Sequence, residues 1–91
     1  MRSNARLLEA ASRLTPEALQ LLTDGYEAGG LVFFVHGELH FALRQADNSF
    51  HVFNVEDERE FVVGARLTTC TCFSFNGHMC PHIAGIMECI R

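Results

Sequence analysis

Cys70-Thr71-Cys72-Phe73-Ser74-Phe75-Asn76-Gly77-His78-Met79-Cys80-Pro81-His82 is the stretch on which the reading of this chain turns. Three cysteines and a histidine fall within thirteen positions, as Cys-Thr-Cys, seven residues, then Cys-Pro-His. Soft thiolates joined by an imidazole suit a closed tetrahedral zinc site, with all four positions filled by protein and none open to water. Cys70, Cys72, Cys80 and His82 are therefore the candidate ligands of one structural Zn²⁺. In a chain of 91 residues a metal is a common supplement to a modest core.

The local sequence says how the ligands are held. A residue before proline is pushed out of the helical region, so Cys80 reads as an N-cap, Pro81 as N1 and His82 as N2 of a final helix. Ile83, Ile86, Met87 and Ile90 then recur at i, i+3, i+4 and i+7, an apolar stripe that can close over a sheet. Cys70 and Cys72 stand two apart on a strand end and share a side. Asn76-Gly77 supplies the turn that returns the chain to the helix. His78, two before Cys80, is an alternative ligand with poorer helical placement. Cys89 reads as a buried thiol that packs as a small hydrophobe. Cys80 as nucleophile with His82 as base lacks an oxyanion partner and a third group, and the chain is not expected to be an enzyme.

Upstream the period changes from strand to helix. Leu31–His36, Leu39–Arg44 and Phe50–Val55 read as strands, with a turn at Gly37-Glu38 and a polar turn over Ala46–Ser49. On the third, Phe50, Val52 and Asn54 face one way and His51, Phe53 and Val55 the other. Glu56–Glu60 reads as a charged turn. Phe61–Val63 and Leu67–Thr69 read as one further strand, broken or bulged around Gly64. Before the strands, residues 1–14 carry Leu7, Leu8, Ala11 and Leu14 on one helix face, capped by Ser3 or Asn4. Thr15-Pro16-Glu17 restarts a helix with Thr15 at N-cap. Leu19, Leu22 and Tyr26 form its stripe, Gly25 is a weak point, and Gly29-Gly30 ends it. His36 and His40 are spaced by four but sit in a strand pattern, so they are strand or turn histidines. The expected fold is α+β: N-terminal helices, a small antiparallel sheet and a zinc-bound strand–turn–helix. The expected division is a helical lead-in over 1–29 and the sheet with the zinc unit over 30–91.

Composition narrows the function. The net charge is −4, and all seven basic residues are scattered arginines. Three thiolates around Zn²⁺ add a local charge of about −1. An acidic chain without a basic run lacks the usual footprint of a nucleic-acid binder. No apolar run reaches the roughly 18 residues of a membrane span, and no secretory signal is visible. Clustered thiols then point to a reducing, intracellular setting, the nucleus if the source is eukaryotic.

The spacing matches the Cys-x-Cys…Cys-x-His signature of the SWIM zinc finger. Phe75, Gly77 and the run Ile83-Ala84-Gly85-Ile86 resemble that family's aromatic–glycine turn and following helix. The Leu14-Thr15-Pro16 start, a helix and then a sheet are similar to the C-terminal region of Mutator-type transposases and their domesticated relatives, over roughly residues 14–88. Pro81 stands where many transposase-like members carry lysine or arginine, so no basic group lies beside the metal. The resemblance implies a zinc fold that binds protein or DNA, in settings that include recombination-promoting complexes, ubiquitin-ligase adaptors and kinases. The resulting expectation is a protein-interaction module, with direct nucleic-acid binding second. Phe73 and Phe75 are candidates to face a partner. Neither a membrane nor a small-molecule substrate is expected.

Overall fold

The computed structural model describes residues 4–72 and 80–90, with side chains from residue 7 onward. Its order is α1 (Asn4–Ser12), α2 (Pro16–Glu27), β1 (Leu31–Val35), β2 (Glu38–Arg44), β3 (Phe50–Asn54), β4 (Arg59–Val63) and α3 (Pro81–Ile90). The four strands form one antiparallel meander in chain order. The expected α+β architecture is what the chain adopts. The capping of α1 by Ser3 and the turn at Asn76-Gly77 lie outside the described residues.

The meander is set by tight turns. His36 and Gly37 both have positive φ, 53° and 79°, so the β1–β2 hairpin turns on them and not on Gly37-Glu38. A two-residue turn of this hand matches the twist of the flanking strands. Between β2 and β3, Asp47 Oδ1 accepts from the Ser49 N–H and hydroxyl at 3.0 and 2.6 Å. Between β3 and β4, Asn54 Oδ1 accepts from the Glu56 and Asp57 amides. That turn is complete by Glu58, so Arg59 and Glu60 belong to β4 rather than to a charged loop.

Leu67–Thr69 does not extend β4. Leu67 has φ 59°, its amide reaches the Gly64 carbonyl, and the Gly64 amide reaches the Thr69 carbonyl. The chain therefore reverses after Val63 and runs back along β4, with Cys70 bridged to Val63. The apolar pattern alone does not distinguish a bulge from a reversal.

Strand alternation creates two cores. Phe33, Val35, Ala42, Phe50, Val52 and Val63 face α3 and pack with Ile83 and Ile86. Leu39, Phe41 and Val55 face the other way and pack with Ala10 of α1 and Leu22 of α2. β2 is buried on both faces over Leu39–Ala42, as expected for a strand between two helical layers. The alternation read for β3 holds, with Phe50, Val52 and Asn54 on the α3 side.

The two N-terminal helices lie differently from their apolar periods. Thr15 caps α2 as expected, its Oγ1 accepting from the Ala18 amide. However, α2 buries Leu22 and Gly25, while Tyr26 is 67% exposed and Leu19 42%. The cause is Gly25: a Cβ there would meet the Phe41 ring at 2.4 Å. The bare backbone lies flat on that ring and turns Tyr26 outward. Similarly, α1 buries Ala10 and leaves Leu8 70% exposed.

Candidate metal centre

Two elements carry the four candidate ligands. Cys70-Thr71-Cys72 is tied to β4: the Thr71 amide donates to the Val62 carbonyl, and Thr71 Oγ1 accepts from the Val62 amide. Cys80 caps α3 with its thiol. The Ile83 amide donates to Cys80 Sγ at 3.4 Å, and the Ala84 amide donates to the Cys80 carbonyl. Sulfur thus takes the part that a Ser or Asp oxygen plays at other helix starts.

The sheet and helix bring the ligand atoms together. One donor atom from each of Cys70, Cys72, Cys80 and His82 lies within 4.8 Å of the others. His82 Nδ1 is 3.8 Å from Cys70 Sγ and 3.9 Å from Cys80 Sγ. Around tetrahedral zinc, with Zn–S near 2.3 Å and Zn–N near 2.0–2.1 Å, neighbouring S and N atoms lie roughly 3.6 Å apart. Those two separations are within a few tenths of that spacing, and the set as a whole is looser, its donor atoms lying within 4.8 Å of one another. The donor set, the closure and the burial of Cys72, Cys80 and His82 all fit one zinc ion. His78 lies outside the described residues.

Electrostatics make the cluster wait for a cation. Burial, opposed by the Cys72 amide and reinforced by the neighbouring thiols, pushes the Cys70 thiol up to about 12. Burial, helped by His40, His36 and Arg59, lowers His82 to about 4. Without a cation the site therefore favours protonated Cys70 and neutral His82. An imidazole that offers Nδ1 to the metal carries its proton on Nε2.

Sequence reading missed two residues that hold His82. Phe61 packs on its ring with centroids 4.2 Å apart, and the His40 ring is 5.3 Å away. His40 is only 1% exposed and stacks on Phe33. Its Nδ1 donates to the Glu38 carbonyl at 2.9 Å, which fixes the proton on Nδ1. The signal was present in the alternation: His40 shares a face with Ala42 and opposes Phe33 in the register. A cavity of about 230 Å³ bordered by His36, His40, Asn54, Arg59 and His82 opens beside this contact. Cys89, expected to be buried, is exposed, and its Sγ reaches the Val32 carbonyl at the sheet edge. It is near the end of α3, where the helix overhangs the edge strand.

The family model of the SWIM zinc finger matches residues 50–91. Neither curated proteins nor solved structures gave a match to the chain. The matched span covers β3, β4, the Cys-x-Cys segment and α3, which is the part of the fold that assembles the cluster. No helix among the described residues is long and apolar enough to cross a membrane. Residues 50–91 are thus similar to the SWIM zinc finger, and Cys70, Cys72, Cys80 and His82 lie close enough together to hold one zinc ion.

Proposed function

We propose that this zinc-binding module is a non-catalytic adaptor that docks a protein, within a transposase-derived or DNA-recombination assembly. The observation that carries this reading is the uncovered apolar surface of the outer helices, where Leu8, Leu19, Leu21 and Tyr26 are all exposed. Of these, Leu8 and Tyr26 border one apolar groove, and a contiguous exposed apolar patch is a common mark of a protein interface. The SWIM match and the resemblance to Mutator-type transposases support the kind of assembly. An intracellular, reducing location accords with a thiolate site.

The arginine distribution also favours a protein over nucleic acid. Arg44 opposes Phe50 and Arg59 opposes Asn54, so they stand at opposite ends of β3, about 13 Å apart along the strand. Arg44 lies over the Phe50 ring, Arg59 pairs with Asp57 at 2.8 Å, and Arg13 approaches Glu56 at 4.0 Å. Arg44 and Arg59 share the α3 side of the sheet but stand far apart along it, and Arg13 and Arg59 are each drawn to a carboxylate, so these cations do not form a compact phosphate-binding cluster.

Fluorescence anisotropy of the zinc-loaded chain with labelled single- and double-stranded DNA tests the choice. The protein-docking reading expects no binding at low salt. Zinc-dependent binding that weakens steeply with salt would replace it with a nucleic-acid module.

A further inference from the structure

The apolar surface has a defined shape. α1 and α2 both rest on β2, and between them lies a groove of about 320 Å³. Its apolar lining is Leu7, Leu8 and Ala11 from α1, Leu22 and Tyr26 from α2, and Val32 from β1. It is on the opposite face of the sheet from α3 and the metal centre. Leu8 and Tyr26, which helical periodicity assigns to a core face, stand at its mouth and remain 70% and 67% exposed.

The rim identifies the partner's charge. Glu27 is the charged side chain that lines the groove, while Asp24, outside the lining, accepts from Gln20 Nε2 at 2.8 Å. α2 contains Glu17, Asp24 and Glu27 and no lysine or arginine. Its last turn has no basic residue, so the negative end of its dipole is unmatched by a side chain of that helix. A second copy of this chain would bring Asp24 and Glu27 towards the same acidic helix, which like-charge repulsion opposes.

We propose that the α1–α2 groove docks a basic amphipathic helix of a partner protein. Apolar side chains at i, i+3/i+4 and i+7 enter between Leu8 and Tyr26, and flanking Lys or Arg meets Glu27 and the C-terminal end of α2. The proposal rests on the protein-docking reading and assigns that docking to the face away from zinc.

The test is an amide NMR titration of the zinc-loaded full chain with a Leu/Lys amphipathic peptide of about 14 residues, roughly four helical turns. A Leu/Glu twin serves as the control. The expected result is shifts centred on Leu7, Leu8, Ala11, Leu22 and Tyr26 with the Lys peptide alone. Leu8→Ser and Tyr26→Ser, both at exposed positions, should each weaken binding about tenfold, and Glu27→Lys several-fold. Equal binding of the Glu twin, binding indifferent to both serine variants, or shifts centred on the zinc face would overturn the proposal. Groove shifts that grow with protein concentration without peptide would also overturn it, in favour of a second copy. Duplex DNA added to a parallel sample separates the two levels: salt-sensitive DNA binding sinks the protein-docking reading, whereas a silent groove with no DNA binding sinks the groove alone.

Discussion

His82 Nδ1 lies 3.8 Å from Cys70 Sγ, although twelve positions separate them in the chain. That approach links the start of α3 to the segment returning along β4, and it brings together ligands from both sides of the finger. The described contacts around it are one apolar cluster on one face of a four-stranded sheet. A metal there is a cross-link between sheet and helix, and its binding energy becomes folding energy.

Cys72→Ser should consequently cost the packing of α3 rather than zinc alone. Chelation of the parent chain should give the same product. The expected outcome is loss of cooperative thermal unfolding in the Cys72→Ser chain and loss of amide dispersion for Val63, Ile83 and Ile86. A Cys72→Ser chain that melts like the parent would refute a structural role for the metal.

Gly85 makes a close approach of the kind made by Gly25. A Cβ at Gly85 would meet the Phe33 ring at 2.3 Å, on the strand that α3 covers. Alanine raises helix propensity by about 1 kcal/mol, but overpacking a core costs typically about 1–3 kcal/mol. Clash should win, so Gly85→Ala is expected to lower the urea midpoint of the zinc-loaded chain. A raised midpoint would mean that α3 can lift from Phe33 without loss.

Cys89 should behave apart from the other three cysteines. The residue is exposed, while partial desolvation of its thiol against the sheet edge and then Glu88 raise its pKa above the usual value. In the zinc-loaded chain a slow thiol reagent should label one cysteine, and label four after chelation and denaturation. Cys89→Ser should remove the first labelling event and keep one zinc per chain. Loss of zinc from Cys89→Ser would assign it a ligand role.

Acid should destabilise the chain through its histidines. Burial lowers His82 to about 4 and shifts His40 in the same direction, from an ordinary value of 6.5. Both groups bind protons more readily when unfolded, so their contribution is complete above about pH 6.5 and is lost as pH falls towards their folded values. Metal adds the same sign, since its ligands must be deprotonated. The urea midpoint of the zinc-loaded chain should therefore fall steadily from pH 7 to pH 5. A flat or rising profile would contradict the burial of His40 and the ligation of zinc by deprotonated side chains.

Much of this was legible in residue order. The spacing of Cys70, Cys72, Cys80 and His82, the Cys80-Pro81 helix start and the Thr15-Pro16 cap are local signals, and the structure places each where the chain suggests. What was not legible depended on contacts between elements. Gly25 read as a weakness in α2, yet it is the point where α2 touches Phe41, and its position rather than the leucine period decides which face is buried. His40 read as an ordinary strand histidine because its ring neighbours, Phe33 and His82, come from other elements. The reversal at Leu67 depends on a positive φ at a leucine, for which no residue preference gives warning. Phe73 and Phe75 lie outside the described residues.

The central claim is the ligand set, and zinc K-edge X-ray absorption on the metal-loaded chain reads it most directly. The account predicts three sulfur scatterers at about 2.3 Å and one nitrogen at about 2.0–2.1 Å, with no further light atom. Two sulfurs with two nitrogens would show that His78 or another imidazole has displaced a cysteine. An additional oxygen scatterer would show an open site. Either result would contradict a closed centre built from Cys70, Cys72, Cys80 and His82.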